Sequence, residues 1–190
     1  MKIITGIARG MNIETLEGEA TRPTTQRVKE AVFSMIQFEI ENTTVLDLFA
    51  GSGQMGLEAL SRGAKRATFC DSSRDATDIV IRNAKKTKLF DKCRISTCDY
   101  SQMLKGISGK EKYDLVFIDP PYGERIVAEV LKKALKYDIF ADNCIIVCES
   151  GVPDIFADNE ELKSNFDIVR ISKYSISYIT LLRYKAENQQ

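Results

Sequence analysis

From Val45 onward, short apolar runs alternate with longer amphipathic stretches, and that alternation leaves the chain few architectures to adopt. It is the pattern of βαβ units, in which crossover helices cover both faces of a mainly parallel sheet. Strands are expected at 45–49, 66–71, 94–97, 115–118 and 145–149. Helices are expected at 56–61, 73–89 and 126–137, with an ill-defined helical turn near Gln102. After Asp154 a short helical stretch precedes two β-rich runs, 168–174 and 178–184, with only 175–177 between them, which predicts a hairpin and an antiparallel edge. The expected fold class is therefore α/β, mostly parallel, with an antiparallel C-terminal hairpin.

The first 43 residues differ in kind. Gly6 and Gly10 punctuate short apolar pieces, whereas Val28, Ala31, Val32, Met35 and Ile36 recur at helical spacing within 25–40. This predicts a small hairpin or extended arm followed by one helix, so that 1–43 forms an N-terminal extension and 44–190 the main domain. With 190 residues, 44% of them apolar, the chain can bury a core without bridges or metals. Cys70, Cys93, Cys98, Cys144 and Cys148 are odd in number and form no C-x-x-C pair, so reduced thiols are expected. No apolar run approaches the ~20 residues of a membrane helix, and a cytoplasmic, membrane-free protein is expected.

No histidine occurs, which removes His-based general catalysis, the usual triads and most zinc sites. Chemistry must run on carboxylates, hydroxyls, backbone and a bound cofactor, with no metal expected. The 27 basic and 27 acidic residues cancel, so no global positive field advertises a nucleic-acid partner.

The first strand leads through Phe49, Ala50, Gly51, Ser52 and Gly53 to Gly56, a G-x-G-x-x-G spacing. The first two glycines permit a tight turn and close approach of a ligand, and the third lets helix pack on strand. Asp71, followed by Ser72, ends the second strand, where a carboxylate can take both hydroxyls of a ribose. Asp47, inside the end of the first strand, and Asp99, followed by Tyr100 after the third, suit cofactor amino groups and turn the choice from NAD toward S-adenosylmethionine (SAM). Taken singly, each acid could instead be a loop acid or helix cap. All three fall at carboxyl ends of consecutive strands, where open α/β sheets bind ligands.

The fourth strand runs into Asp119, Pro120, Pro121 and Tyr122. Two successive prolines fix φ and remove two N–H donors, leaving the Asp119 carboxylate and adjacent carbonyls as a rigid row of acceptors. An amine conjugated to a ring is a poor nucleophile, and accepting its hydrogens turns its lone pair toward an electrophile. Tyr122 would stack on an unpaired base. The spacing thus predicts SAM-dependent methylation of an exocyclic amino group. Adenine N6, a protein amide, a nicotinamide-dependent oxidoreductase and a non-catalytic RNA-binding module remain alternatives.

With these segments in hand, the chain resembles the RsmD family of bacterial guanine-N2 methyltransferases of 16S ribosomal RNA. The resemblance is carried by Ile3 to Gly6 with Gly10, by Arg22, Pro23 and Thr24, by the stretch from Arg27 to Phe33, by Asp47 to Gly53 with Gly56 to Gly63, and by Asp119 to Tyr122. It implies a class I, Rossmann-like methyltransferase sheet, SAM as donor, and an N-terminal arm that helps hold RNA. Arg22, Thr24 and Arg27, in the segment leading into the first long helix, are expected to contact the substrate, although Arg22 could equally pair with Glu30 at the helix start. The partner so implied is 16S ribosomal RNA; the neutral net charge leads to the expectation of a partly assembled 30S subunit, and a monomeric enzyme is expected. The chain departs from the family at Met11 and Asn12, where basic residues are usual, and at 175–177, where a glycine is usual. Arg62 is expected to pair with a carboxylate at the sheet edge, and Tyr174, Tyr178 and Tyr184 to pack on the sheet.

Overall fold

A computed structural model describes residues 1–16, 26–121 and 126–186. They contain seven strands and form a mixed α/β fold, mostly parallel with antiparallel C-terminal strands. The chain divides into two compact units, Met1–Tyr100 and Ser101–Gln190.

In the first unit, β1 (Thr44–Asp47), β2 (Arg66–Asp71) and β3 (Cys93–Thr97) pair in parallel, with β2 between the other two. The helices α1 (Gln26–Met35), α2 (Gln54–Ser61) and α3 (Arg74–Lys86) precede or connect them. Val45, Leu46, Leu57, Leu60, Phe69 and Val80 are fully buried, which is why β1 reads as an unbroken apolar run rather than an alternation. The Ser73 hydroxyl caps α3 by accepting from the Ala76 N–H, and Asp75 and Lys85–Lys86 complement the helix dipole at its two ends.

The N-terminal arm forms a narrow loop rather than a strand pair. A single antiparallel bridge, Lys2 to Asn12, joins its sides, helped by backbone bonds from Ile3 N–H to the Met11 carbonyl and from Gly10 N–H to the Ile3 carbonyl. The helix expected to reach Ile40 stops at Met35. Ile36 and Ile40 stay buried, but successive turns carry them and leave Phe38 93% exposed.

In the second unit, β4 (Tyr113–Ile118) pairs in parallel with β5 (Phe140–Ser150), which pairs antiparallel with β7 (Ser177–Tyr184), and β6 (Phe166–Tyr174) closes the edge against β7. The turn of helix expected near Gln102 is a regular helix, α4 (Tyr100–Ile107); α5 (Ile126–Lys136) and a short α6 (Glu160–Ser164) complete the set. At the hairpin tip Ser175 takes φ +54°, the left-handed conformation that glycine adopts without cost. Tyr184 packs against Phe140 and Phe166, as expected for a sheet tyrosine.

Candidate functional site

The chain leaves β1 through a turn that two left-handed glycines make possible, Gly51 at φ +51° and Gly53 at φ +77°. The turn closes with a 2.7 Å bond from the Gly53 N–H to the Ala50 carbonyl, and the Ala50 N–H donates back to the Cys70 carbonyl of β2 at 2.9 Å. Gly56 lies against the Phe69 ring so closely that a Cβ would strike Cε1. The third glycine therefore lets α2 sit on β2.

The carboxylates of β1 and β2 brace this turn. Asp71 Oδ2 accepts the Gly51 N–H at 2.9 Å, and Oδ1 accepts the Ser73 N–H at 2.9 Å. Asp47 Oδ2 accepts the Gly56 N–H at 3.1 Å. Only 4% of Asp47 is exposed, and burial pushes its carboxyl up to about 7; the Gly56 bond works against this and the neighbouring Asp71 charge adds to it. A buried carboxylate held by a backbone donor, with a second carboxylate as its charged neighbour, is suited to a cationic ligand group.

Phe49 and Tyr100, both half-buried, face each other with ring centroids 5.6 Å apart. Asp99, next to Tyr100, and Ser72, next to Asp71, are exposed. Cys98 is held to the end of β2 by its N–H to the Asp71 carbonyl at 3.0 Å. Its sulfur lies 3.8 Å from that of Cys70, whose thiol burial pushes up strongly. Asp47, the 49–53 turn, Asp71, Ser72, Asp99 and Tyr100 thus occupy the carboxyl ends of three parallel strands in one unit.

In the other unit, Asp119 stands immediately beyond the carboxyl end of β4, exposed and followed by a buried Pro120 and an exposed Pro121. Tyr122 lies outside the described residues, as do Arg22 and Thr24. Arg27 is exposed on α1. Among the described residues no group of three or more Cys, Asp or Glu side chains could hold a metal ion, and no helix is long and apolar enough to cross a membrane.

Two polar centres beyond the expected site residues tie the arm to α1, α2 and α3. Glu58 on α2 is completely buried, and its carboxylate accepts the N–H groups of Ile4 and Thr5 at 2.7 and 3.0 Å. The same carboxylate pairs with the fully buried Lys29 at 3.3 Å and with Arg62 at 2.8 Å. Arg62 therefore finds its partner one turn back on its own helix rather than at the sheet edge, because that carboxylate is already drawn inward by the arm. Burial lowers the Lys29 ammonium while Glu58 opposes the shift, and Lys29 also donates to the Lys2 carbonyl at 2.6 Å. The second centre is Asn83 on α3, whose side chain reaches both the arm and the glycine turn. An acid on the apolar stripe of α2 and a lysine between Val28 and Val32 were the available signals for the first centre. An asparagine at helical spacing from Ile79 and Val80 was the signal for the second.

A family model described as Conserved hypothetical protein 95 matches residues 1–183. The chain is 33% identical over 154 residues to the Ribosomal RNA small subunit methyltransferase D of Escherichia coli, covering 80% of this chain and 75% of that protein. The solved structure of the yhhF protein of Escherichia coli superposes with a TM-score of 0.87 at 29% identity, over 98% of this chain and 99% of that one. An O-methyltransferase from Bacillus cereus solved in complex with SAH shares the fold at a TM-score of 0.67 and 14% identity, over 88% of this chain and 86% of that one.

Proposed function

The chain belongs to the family described as Conserved hypothetical protein 95, the RsmD family, and from that membership we propose that it transfers a methyl group from SAM to the exocyclic N2 of a guanine in 16S ribosomal RNA. The observation that carries the reading is the placement of Asp119 just past the buried strand β4, exposed and followed by a buried Pro120. The named Escherichia coli relative gives the substrate class, the small-subunit ribosomal RNA.

The residues of the first unit suit the donor. Asp47, buried and with its carboxyl raised by that burial, would hold a cationic part of it, and the 49–53 turn would admit its close approach to backbone. Asp71 would take the ribose hydroxyls, and Ser72, Asp99 and Tyr100 the adenine end. SAM supplies an electrophilic methyl on a sulfonium sulfur.

Asp119 and the carbonyls of the two prolines accept the hydrogens of the guanine amine, which draws the nitrogen out of conjugation and directs its lone pair. Orientation of this kind is worth up to ~7–11 kcal/mol in well-positioned cases. Asp119 needs no raised basicity, since a methylated ammonium is acidic and releases its proton late. Tyr122 offers a stacking face, and Arg22, Thr24 and Arg27 contact the RNA from the N-terminal extension 1–43, with 44–190 as the donor-binding domain. The neutral net charge favours an RNA already carrying ribosomal proteins, in a partly assembled 30S subunit, over naked RNA.

The test is Asp119→Ala. Methyl transfer should fall about a hundredfold or more while SAM affinity is retained. A variant that turns over at the wild-type rate would refute the assignment of Asp119.

A further inference from the structure

Asn83 lies in the last turn of α3 and is completely buried, an environment in which an apolar residue would be the cheaper choice. Its side-chain amide is committed in two directions. Nδ2 donates to the Ser52 carbonyl at 2.9 Å, between the two left-handed glycines of the turn. The same nitrogen donates to the Glu14 carbonyl at 3.0 Å, while Oδ1 accepts the Glu14 N–H at 2.8 Å. Asn83 thus grips both backbone groups of one arm residue, as a neighbouring strand would, and holds the donor turn from the same atom. Asn is a mediocre helix former, so its presence at a buried helical position reflects these bonds and not the helix.

We propose that Asn83 is a positioning residue that couples the N-terminal arm to the donor-binding turn, so that binding of the donor orders the arm and ordering of the arm tightens the donor. The coupling rests on the reading of the 49–53 turn as the donor site. The physical route is short. The direction of the Ser52 carbonyl sets the peptide planes between Gly51 and Gly53, and hence the backbone groups a ligand meets. Among the described residues, the other side-chain tie at Glu14 is its pair with Arg82, at 2.9 Å, which is half-exposed on both sides and contributes little, while the neighbouring Ile13 bonds to Met1. Losing the Asn83 grip would therefore release Glu14 and the Ser52 carbonyl together, while Asp71 still holds the turn at Gly51. Linkage makes the effect reciprocal, so an RNA that orders the arm would raise donor affinity by the same factor as the donor raises RNA affinity.

The experiment uses the full chain and the unreactive product SAH. Hydrogen exchange of the peptide containing Glu14 is followed with and without saturating SAH, beside calorimetric titration. In the wild type SAH should bind and slow exchange at Glu14 severalfold. In Asn83→Leu, matched in size but without polar atoms, SAH affinity should fall roughly tenfold. At saturating SAH that variant should show no slowing at Glu14. Ala84→Gly on the same helix is the control for general weakening of α3; it should lower the melting temperature yet keep the SAH-dependent protection. Wild-type exchange at Glu14 that ignores SAH while SAH binds would overturn the coupling without any variant being needed, as would an Asn83→Leu protein that keeps both affinity and protection. Absence of SAH binding to the wild type would instead remove the donor reading on which the coupling stands.

Discussion

Replacing Asp47 by Asn should stabilise the protein and weaken its hold on SAM, and the size of the first effect can be worked from the environment of the carboxylate. Asp47 is 4% exposed, and burial moves its carboxyl from 3.8 to about 7. The unfolded chain therefore releases this proton near pH 4 and the folded chain near pH 7. Between those values the unfolded state binds fewer protons, so this group costs the fold progressively more stability as pH rises, and the cost levels off above about 7. At ~1.36 kcal/mol for each pH unit, the full difference is on the order of 4 kcal/mol. The amide introduced by Asp47→Asn would keep an oxygen for the Gly56 N–H and carry no charge. Urea denaturation of both proteins should show a stability gap under about 1 kcal/mol at pH 4 that widens to several kcal/mol in favour of Asp47→Asn at pH 8. Other titrating groups cancel in the difference. A cationic donor at this site would favour ionised Asp47, so wild-type SAM affinity should rise with pH through about 7 while that of Asp47→Asn stays low and flat. A gap independent of pH would refute the account of Asp47.

Other consequences concern the arm and the turn. Glu58→Ala removes the carboxylate shared by Ile4, Thr5, Arg62 and the buried Lys29, and should cost about 3–5 kcal/mol in chemical denaturation, because Lys29 is left buried without its partner. Limited proteolysis should then cut within the first sixteen residues, and a loss under about 1 kcal/mol would contradict the shared-anchor description. Gly56→Ala drives a Cβ into the buried Phe69 ring and should lower stability by about 1–3 kcal/mol, measurable as a drop in melting temperature. Gly10→Ala meets no neighbouring atom but must hold φ +81°, so its smaller loss, about 1 kcal/mol, should come from backbone strain alone.

Strands β1, β2 and β4 were legible because they are buried on both faces and so appear as apolar runs; β2 begins and ends at Arg66 and Asp71 as the sequence predicts. The carboxyl end of β2 at Asp71 followed directly, whereas β1 stops at Asp47, short of the expected Phe49, as the chain turns toward the left-handed Gly51. The end of α1 was not legible, since Ile36 and Ile40 keep a helical spacing that consecutive turns satisfy equally well. The start of β5 at Phe140 was hidden by the polar Asp142 and Asn143, the latter at φ +60° beside a register shift against β4. Asn83 and Glu58 were invisible as anchors for a different reason. Their partners lie 69 and 54 positions away in the chain, and no local pattern records which backbone groups a folded arm will bring to them.

The most direct measurement is transfer of labelled methyl from SAM to deproteinised 16S RNA and to 30S subunits from cells lacking this gene, followed by analysis of the digested nucleosides. Label in N2-methylguanosine, with subunits the better acceptor, is the predicted result. Label in N6-methyladenosine, or no transfer to either acceptor by a protein that binds SAM, would contradict it.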